Sequence, residues 1–342
     1  MGMKYFFINR ILGIFFSIPD WVLNLFFREK SPCIRNNYLD QQTKIFLSLF
    51  DTSGDKLDVE NFNSLERIRI NNARLSLNIN KKPSQKISFN DRSLNEDETI
   101  ILREYRPLKI QSDKTILFFH GGGYALGSIE THHNFVASMS IYLGVKIHSL
   151  EYSLSPENKF PKALEDAKKA YLEIIKNYDN SKIILCGDSA GAHLAASLTY
   201  DLCESEIPSP FAQILIYPMI CPSLDFESME LYKEDFLLTK SSMEWFWNQL
   251  RSSQKDNKDP RFDLLKQDKM NLSVTKTLVV TAGFDPLYDE GNAYIKLLKK
   301  NGNEVQRLNF KDLIHGFINL TNIRRANSAT IKIFETINEY LD

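Results

Sequence analysis

Gly187-Asp188-Ser189-Ala190-Gly191 sets a serine between two glycines, just after the apolar run 183–186 and just before a stretch of small residues. A Gly-x-Ser-x-Gly at a strand-to-helix junction is the form of a nucleophile elbow, a turn so tight that only small neighbours fit and the hydroxyl projects free. A serine hydroxyl is a poor nucleophile until a base takes its proton, so the motif predicts a histidine held by a carboxylate. The structural alternative is an ordinary glycine turn, with Asp188 or Ser189 capping a helix.

At such an elbow the partners follow the nucleophile in the chain order acid, then histidine. Asp285 comes at the end of the apolar run 277–281, in Thr281-Ala-Gly-Phe-Asp285-Pro286-Leu287, which places it in a loop at a strand's C-terminal end. Open α/β sheets assemble their sites there, although Asp285 before Pro286 also reads as a helix N-cap. His315, in Lys311-Asp312-Leu313-Ile314-His315-Gly316-Phe317, is the one histidine C-terminal to Asp285. A carbonyl that gains negative charge needs donors, and backbone N–H groups approach closest where side chains are absent. The run His120-Gly121-Gly122-Gly123-Tyr124, after the apolar 115–119, supplies such a loop. It lacks the lysine and spacing of a phosphate-binding loop. His120 precedes Asp285 and reads as support for that loop, and Tyr124 reads either as a pocket wall or as an ordinary packed aromatic.

These residues require strands that end at each of them. Apolar runs at 99–105, 115–120, 146–151, 182–186, 213–217, 277–281 and 305–310 alternate with helical patterns at 134–143, 161–178, 190–203, 287–301 and 325–340. That alternation predicts an α/β fold with a mostly parallel sheet flanked by helices. Residues 221–271 interrupt it with an aromatic helix at 241–250. The first 75 residues read as helices near 10–27, 40–49 and 61–75, and the polar 78–98 is a link with a short strand near 87–89.

The chain has 342 residues, 43% of them hydrophobic, with Lys+Arg 42 against Asp+Glu 43, so no global charge draws it to nucleic acid. Cys33, Cys186, Cys203 and Cys221 make no zinc or CxxC spacing. They predict reduced thiols and a reducing, cytoplasmic compartment. Residues 1–27 are rich in Phe, Ile and Leu, but Arg10, Asp20 and Arg28 divide the stretch into runs short of the roughly 20 residues of a spanning helix. Pro19-Asp20-Trp21 stands where a signal cleavage site would need small residues. The stretch predicts an amphipathic helix on a greasy surface, either the protein's own core or a membrane interface.

Taken together, His120-Gly121-Gly122-Gly123, Gly187-Asp188-Ser189-Ala190-Gly191, Asp285-Pro286-Leu287-Tyr288-Asp289-Glu290-Gly291 and His315-Gly316-Phe317 resemble the hormone-sensitive-lipase-like branch of the α/β-hydrolase esterases. Glu151-Tyr152-Ser153-Leu154-Ser155-Pro156-Glu157 is similar to a further family segment, with Ser153 where arginine is usual and Ser155 where alanine is frequent. The resemblance covers about 39–340. It implies oxyanion donors at the N–H groups of Gly122, Gly123 and Ala190, and no metal or organic cofactor. It also implies a helical cap, built here from 1–80 (1–38 being an amphipathic extension) and from 221–271 inserted into a core of 81–342. The expectation is a serine carboxylic-ester hydrolase with Ser189, Asp285 and His315 as triad, acting on small-molecule esters of short to medium acyl chain. A long-chain lipase or an amide deacetylase would use the same triad, and a non-catalytic ligand-binding relative would be expected to have lost it. Residues 1–27 would add peripheral membrane contact if their greasy face meets lipid.

Overall fold

The computed structural model describes residues 18, 22, 31–49, 62–97, 99–267 and 275–341. The helix expected over 10–27 falls outside them, apart from residues 18 and 22. A small hairpin, β1 (Cys33–Ile34) and β2 (Asn37–Tyr38), leads into helices α1 (Gln41–Leu49) and α2 (Phe62–Ile79). Strands β3 (Ser88–Ser93) and β4 (Ile101–Arg106) come next. Then the chain alternates through β5 (Thr115–Phe119), α3 (Ile129–Leu143), β6 (Lys146–Glu151), α4 (Lys162–Ile174), β7 (Ile183–Asp188), α5 (Ala190–Cys203) and β8 (Ala212–Ile216). The short α6 (Glu227–Leu231) and the aromatic α7 (Lys240–Leu250) precede β9 (Lys276–Phe284). Helix α8 (Tyr288–Lys300), β10 (Val305–Ile314) and α9 (Arg324–Asn338) follow.

Eight of the strands form one sheet in the order β10-β9-β8-β7-β5-β6-β4-β3. The six from β10 to β6 are parallel, while β4 and β3 are added antiparallel at one edge. Strands β5, β7 and β8 are buried throughout, which is why they read as unbroken apolar runs: helices cover both faces. Side chains alternate between those faces. Ile116, Phe118, Ile184 and Cys186 join Phe135 of α3 and Ile333 of α9 on one side, and Leu117, Phe119 and Leu185 join Ala167, Leu194 and Leu298 of α4, α5 and α8 on the other. A slip of one residue would exchange the two sets, so the register that places the strand ends is strongly specified.

Several boundaries differ from the sequence reading, β9 and β10 running on to Phe284 and Ile314, and three differences have a clear local cause. Helix α3 begins at Ile129 rather than 134, because Ser128 and Thr131 close a capping box ahead of the apolar periodicity. Strand β3 is six residues long with every residue exposed, so pairing with β4 defines it and no hydrophobic pattern announces it. The β1–β2 hairpin turns at Arg35 and Asn36, both at positive φ (52° and 60°), a turn type that matches strand twist.

The N-terminal elements are stitched to the first turn of α8, to β10 and to the segment after it. Arg35 donates to both oxygens of Asp289 at 2.8 Å, and the Asp40 N–H donates to the Asp312 carbonyl at 2.9 Å. The Lys81 N–H donates to Thr321 Oγ1 at 2.8 Å. All four cysteines are unpaired. Among the described residues no helix is long and apolar enough to cross a membrane.

Candidate active site

Strand β7 enters the elbow through glycines that no other residue could replace. A Cβ on Gly187 would lie 2.3 Å from the Gly191 backbone, and one on Gly191 would lie 2.0 Å from the Phe119 carbonyl oxygen. Helix α5 therefore starts hard against the ends of β5 and β7. Between the glycines Ser189 adopts φ 54°, ψ −119°, a sparsely populated conformation for a residue with a side chain. The surroundings hold it there: its N–H donates to the Ile216 carbonyl at 2.9 Å, and its carbonyl accepts from Met219 and His193 at 3.2 and 3.1 Å.

Strands β9 and β10 run directly to the other two residues. His315 follows Ile314, and the left-handed Gly316 (φ 77°) turns the chain away behind it. His315 Nε2 is 2.9 Å from Ser189 Oγ, and His315 Nδ1 is 2.8 Å from Asp285 Oδ2. A carboxylate can only accept, so Nδ1 carries the proton and Nε2 is left to accept from the serine hydroxyl. The other oxygen of Asp285 accepts the Leu287 N–H at 2.8 Å. Asp285 and His315 are buried, and Ser189 is partly open to the cavity. The Tyr217 ring lies 4.6 Å from that of His315 and limits its rotation.

The glycine run closes the oxyanion side. Gly122 (φ 122°) and Gly123 (φ 60°) adopt backbone that favours glycine, and the Gly122 carbonyl ties the turn by accepting from Ala125 and Leu126 at 3.1 and 2.8 Å. Among the described residues the N–H groups of Gly122 and Gly123 have no acceptor. The Ala190 N–H, at the first position of α5, has none within its helix. His120 is wholly buried, stacks on Tyr152 at 4.3 Å and contacts the Gly121 carbonyl through Nδ1 at 2.9 Å. Burial, with repulsion from His132, pushes its pKa down to about 3. It is a neutral support of the loop.

A cavity of about 300 Å³ opens over Ser189 and His315. Leu126, Leu237, Leu238 and Phe246 make it mainly apolar, Phe46 of α1 and Ile79 of α2 reach it from the N-terminal helices, and Thr131, His132, Asp188 and Asn319 form a polar corner. Phe246 of α7 presses on the oxyanion turn, since a Cβ on Gly123 would stand 2.2 Å from its ring.

The structure thus brings Ser189, Asp285, His315, Gly122, Gly123 and Ala190 together. It does not bring Tyr124 to the cavity. At φ 62° its ring turns into the core, where the hydroxyl meets His193 Nδ1 at 2.6 Å, so it packs behind the glycine loop instead of walling the pocket. Phe246, Leu237 and Phe46 escaped the sequence reading because apolar residues on helices carry no mark of the cavity they face. Asp188 could have been found: a carboxylate in an otherwise apolar strand end calls for donors, and it receives the Gly121 N–H at 2.8 Å. Among the described residues no group of three or more His, Cys, Asp or Glu could hold a metal ion.

Comparison with known proteins bears on the fold and the family. A family model described as the alpha/beta hydrolase fold matches residues 116–319. A carboxylic ester hydrolase, LipN, of Mycobacterium tuberculosis is 34% identical over 238 residues, covering 66% of this chain and 63% of the relative, less than two thirds of its length. An ethyl acetate hydrolase of Pseudomonas putida is 29% identical over 256 residues, 72% of this chain and 80% of that protein. Among solved structures, an ester-hydrolase from the metagenome of Lake Arreo, complexed with a derivative of bipyridine phosphonate, superposes with a TM-score of 0.80 at 28% identity, covering 88% of this chain and 99% of that one.

Proposed function

Because the chain belongs to the hormone-sensitive-lipase-like esterases of the α/β-hydrolase fold, we propose that it hydrolyses carboxylic esters of short to medium acyl chain through an acyl-enzyme on Ser189. The observation that carries this reading is the unbroken hydrogen-bonded line from Ser189 Oγ through the His315 imidazole to Asp285, at 2.9 and 2.8 Å. His315 takes the hydroxyl proton as Ser189 attacks the carbonyl, and Asp285 stabilises the imidazolium. Gly122, Gly123 and Ala190 donate to the oxyanion. His315 then protonates the leaving alcohol, and a water activated by the same nitrogen releases the acid. No step calls for a metal or organic cofactor.

Helices α1 and α2 and the segment 221–267 act in this reading as a cap. A cavity of about 300 Å³ lies at the small end of ligand pockets and supports a short substrate over a long one. The four free thiols suit a reducing, cytoplasmic setting. The test is a series of chromogenic esters from acetyl to palmitoyl, with Ser189→Ala as control. Peak turnover at two to about eight carbons supports the reading. A peak beyond about twelve makes the protein a lipase, and equal turnover by Ser189→Ala removes the mechanism, since only roughly 10³–10⁴-fold over water should survive from binding and the oxyanion donors.

A further inference from the structure

In the polar corner of the cavity, beside the oxyanion turn, lies a second buried aspartate–histidine couple that the proposed chemistry does not use. Asp188, the last residue of β7, is buried with both oxygens engaged. Oδ1 accepts the Gly121 N–H at 2.8 Å and lies 3.2 Å from His132 Nε2, while Oδ2 takes the Tyr217 hydroxyl at 3.4 Å. The fit to the turn leaves no slack, since a Cβ on Gly121 would strike Oδ2 at 2.5 Å. His132, in the first turn of α3, is equally buried. Its Nδ1 lies 2.8 Å from Thr131 Oγ1, the Asn319 amide stands 3.2 Å from Nε2, and the rings of Phe118 and His120 pack at 6.0 and 5.8 Å. Burial pushes the Asp188 carboxyl up, but His132 and the Gly121 N–H outweigh it and hold the group below the usual carboxylate range.

Resting on the esterase reading above, we infer that His132 is a positioning residue for the oxyanion donors, acting through Asp188. With a ring proton on Nε2, His132 faces Oδ1 at 3.2 Å, the atom that also receives Gly121, and so biases the direction in which the following N–H groups of Gly122 and Gly123 point. Without that donor a buried carboxylate seeks another proton donor, and the nearest mobile ones are those of the glycine turn. His132 touches no reacting atom. Its influence is on where the oxygen's partners stand, a placement to which catalysis is sensitive at the scale of an ångström.

The experiment compares His132→Leu, which removes the donor, with His132→Gln, which offers an amide N–H to Asp188. Each is assayed on a short-chain ester and on its thionoester, whose sulfur is a weaker acceptor and draws less from the donors. His132→Leu should lower kcat on the oxoester by roughly 10²-fold, a larger change than in KM, although His132 also lines the polar corner of the cavity. The thionoester should lose less, so the oxoester-to-thionoester ratio falls, and His132→Gln should recover most of it. Equal losses on both substrates, or unchanged kcat in a folded His132→Leu, overturn the inference. Should His132→Leu fail to fold, the ratio measured with His132→Gln and Asp188→Asn decides in the same way. Wild-type protein inert toward every ester sinks the esterase reading itself, whereas an active wild type, a dead Ser189→Ala and an unaffected His132→Leu sink this inference alone.

Discussion

The two sides of the cavity are built on different physics. Its floor is backbone: Ser189, Asp285 and His315 each directly follow the last residue of a parallel strand, the glycine turn begins two residues after β5, and neighbouring strands hold those ends in register. Its roof is side chains: Phe46, Ile79, Leu237, Leu238 and Phe246 come from helices and loops held by packing, ion pairs and scattered hydrogen bonds, with no ladder between them. The floor can therefore be rigid to a fraction of an ångström without depending on which apolar residues cover it. The roof can change shape without moving the reacting atoms. On this division, changes to the floor should act on kcat and changes to the roof on which ester enters.

The largest effect expected is the loss of turnover in Ser189→Ala, with fold and stability retained, because a serine-to-alanine change at a strained elbow removes one hydroxyl and no packing. Circular dichroism beside the ester assay checks it. Gly123→Ala tests the seam between the two sides. Its Cβ would meet the Phe246 ring at 2.2 Å, on backbone at φ 60°. Overpacking of about 1–3 kcal/mol and a left-handed penalty of about 1–2 kcal/mol should add, with kcat falling sharply. Combining it with Phe246→Ala should relieve the first cost and leave the second. A strictly additive double mutant would show that floor and roof are not in contact there.

Phe246→Ala alone should move the acyl-length optimum to longer chains and cost about 3–5 kcal/mol of stability, with kcat on the shortest ester changed less than its KM. A profile that keeps its optimum would remove Phe246 as a determinant of size. The smallest effect belongs to Arg35→Ala. Arg35 bridges the N-terminal hairpin to Asp289, which also accepts the Ser228 N–H at 2.8 Å, so three separate segments meet at one carboxylate. The pair is partly exposed, and its loss should cost about 1 kcal/mol or less, visible as a small drop in Tm with kcat held. A large fall in kcat would mean that the roof does hold the Asp285 loop in place.

Much of the floor could be read from the chain because its determinants are local. Glycines at 187 and 191, the apolar runs ahead of each site residue, and the order of Ser189, Asp285 and His315 are all properties of short windows, and a nucleophile at an elbow implies the rest of its chemistry. The helix start at Ile129 was missed for a local reason of the opposite kind, since a capping box there precedes the apolar pattern. Tyr124 shows where adjacency along the chain misleads: one left-handed residue turns its ring into the core. The roof, the Asp188–His132 couple and the Arg35 bridge were decided only by the tertiary structure. Their partners lie 56 and 254 positions apart, and nothing in a hairpin arginine or a helix-borne histidine says which distant carboxylate it will meet until the sheet's register and the helices' packing have fixed the distances between them.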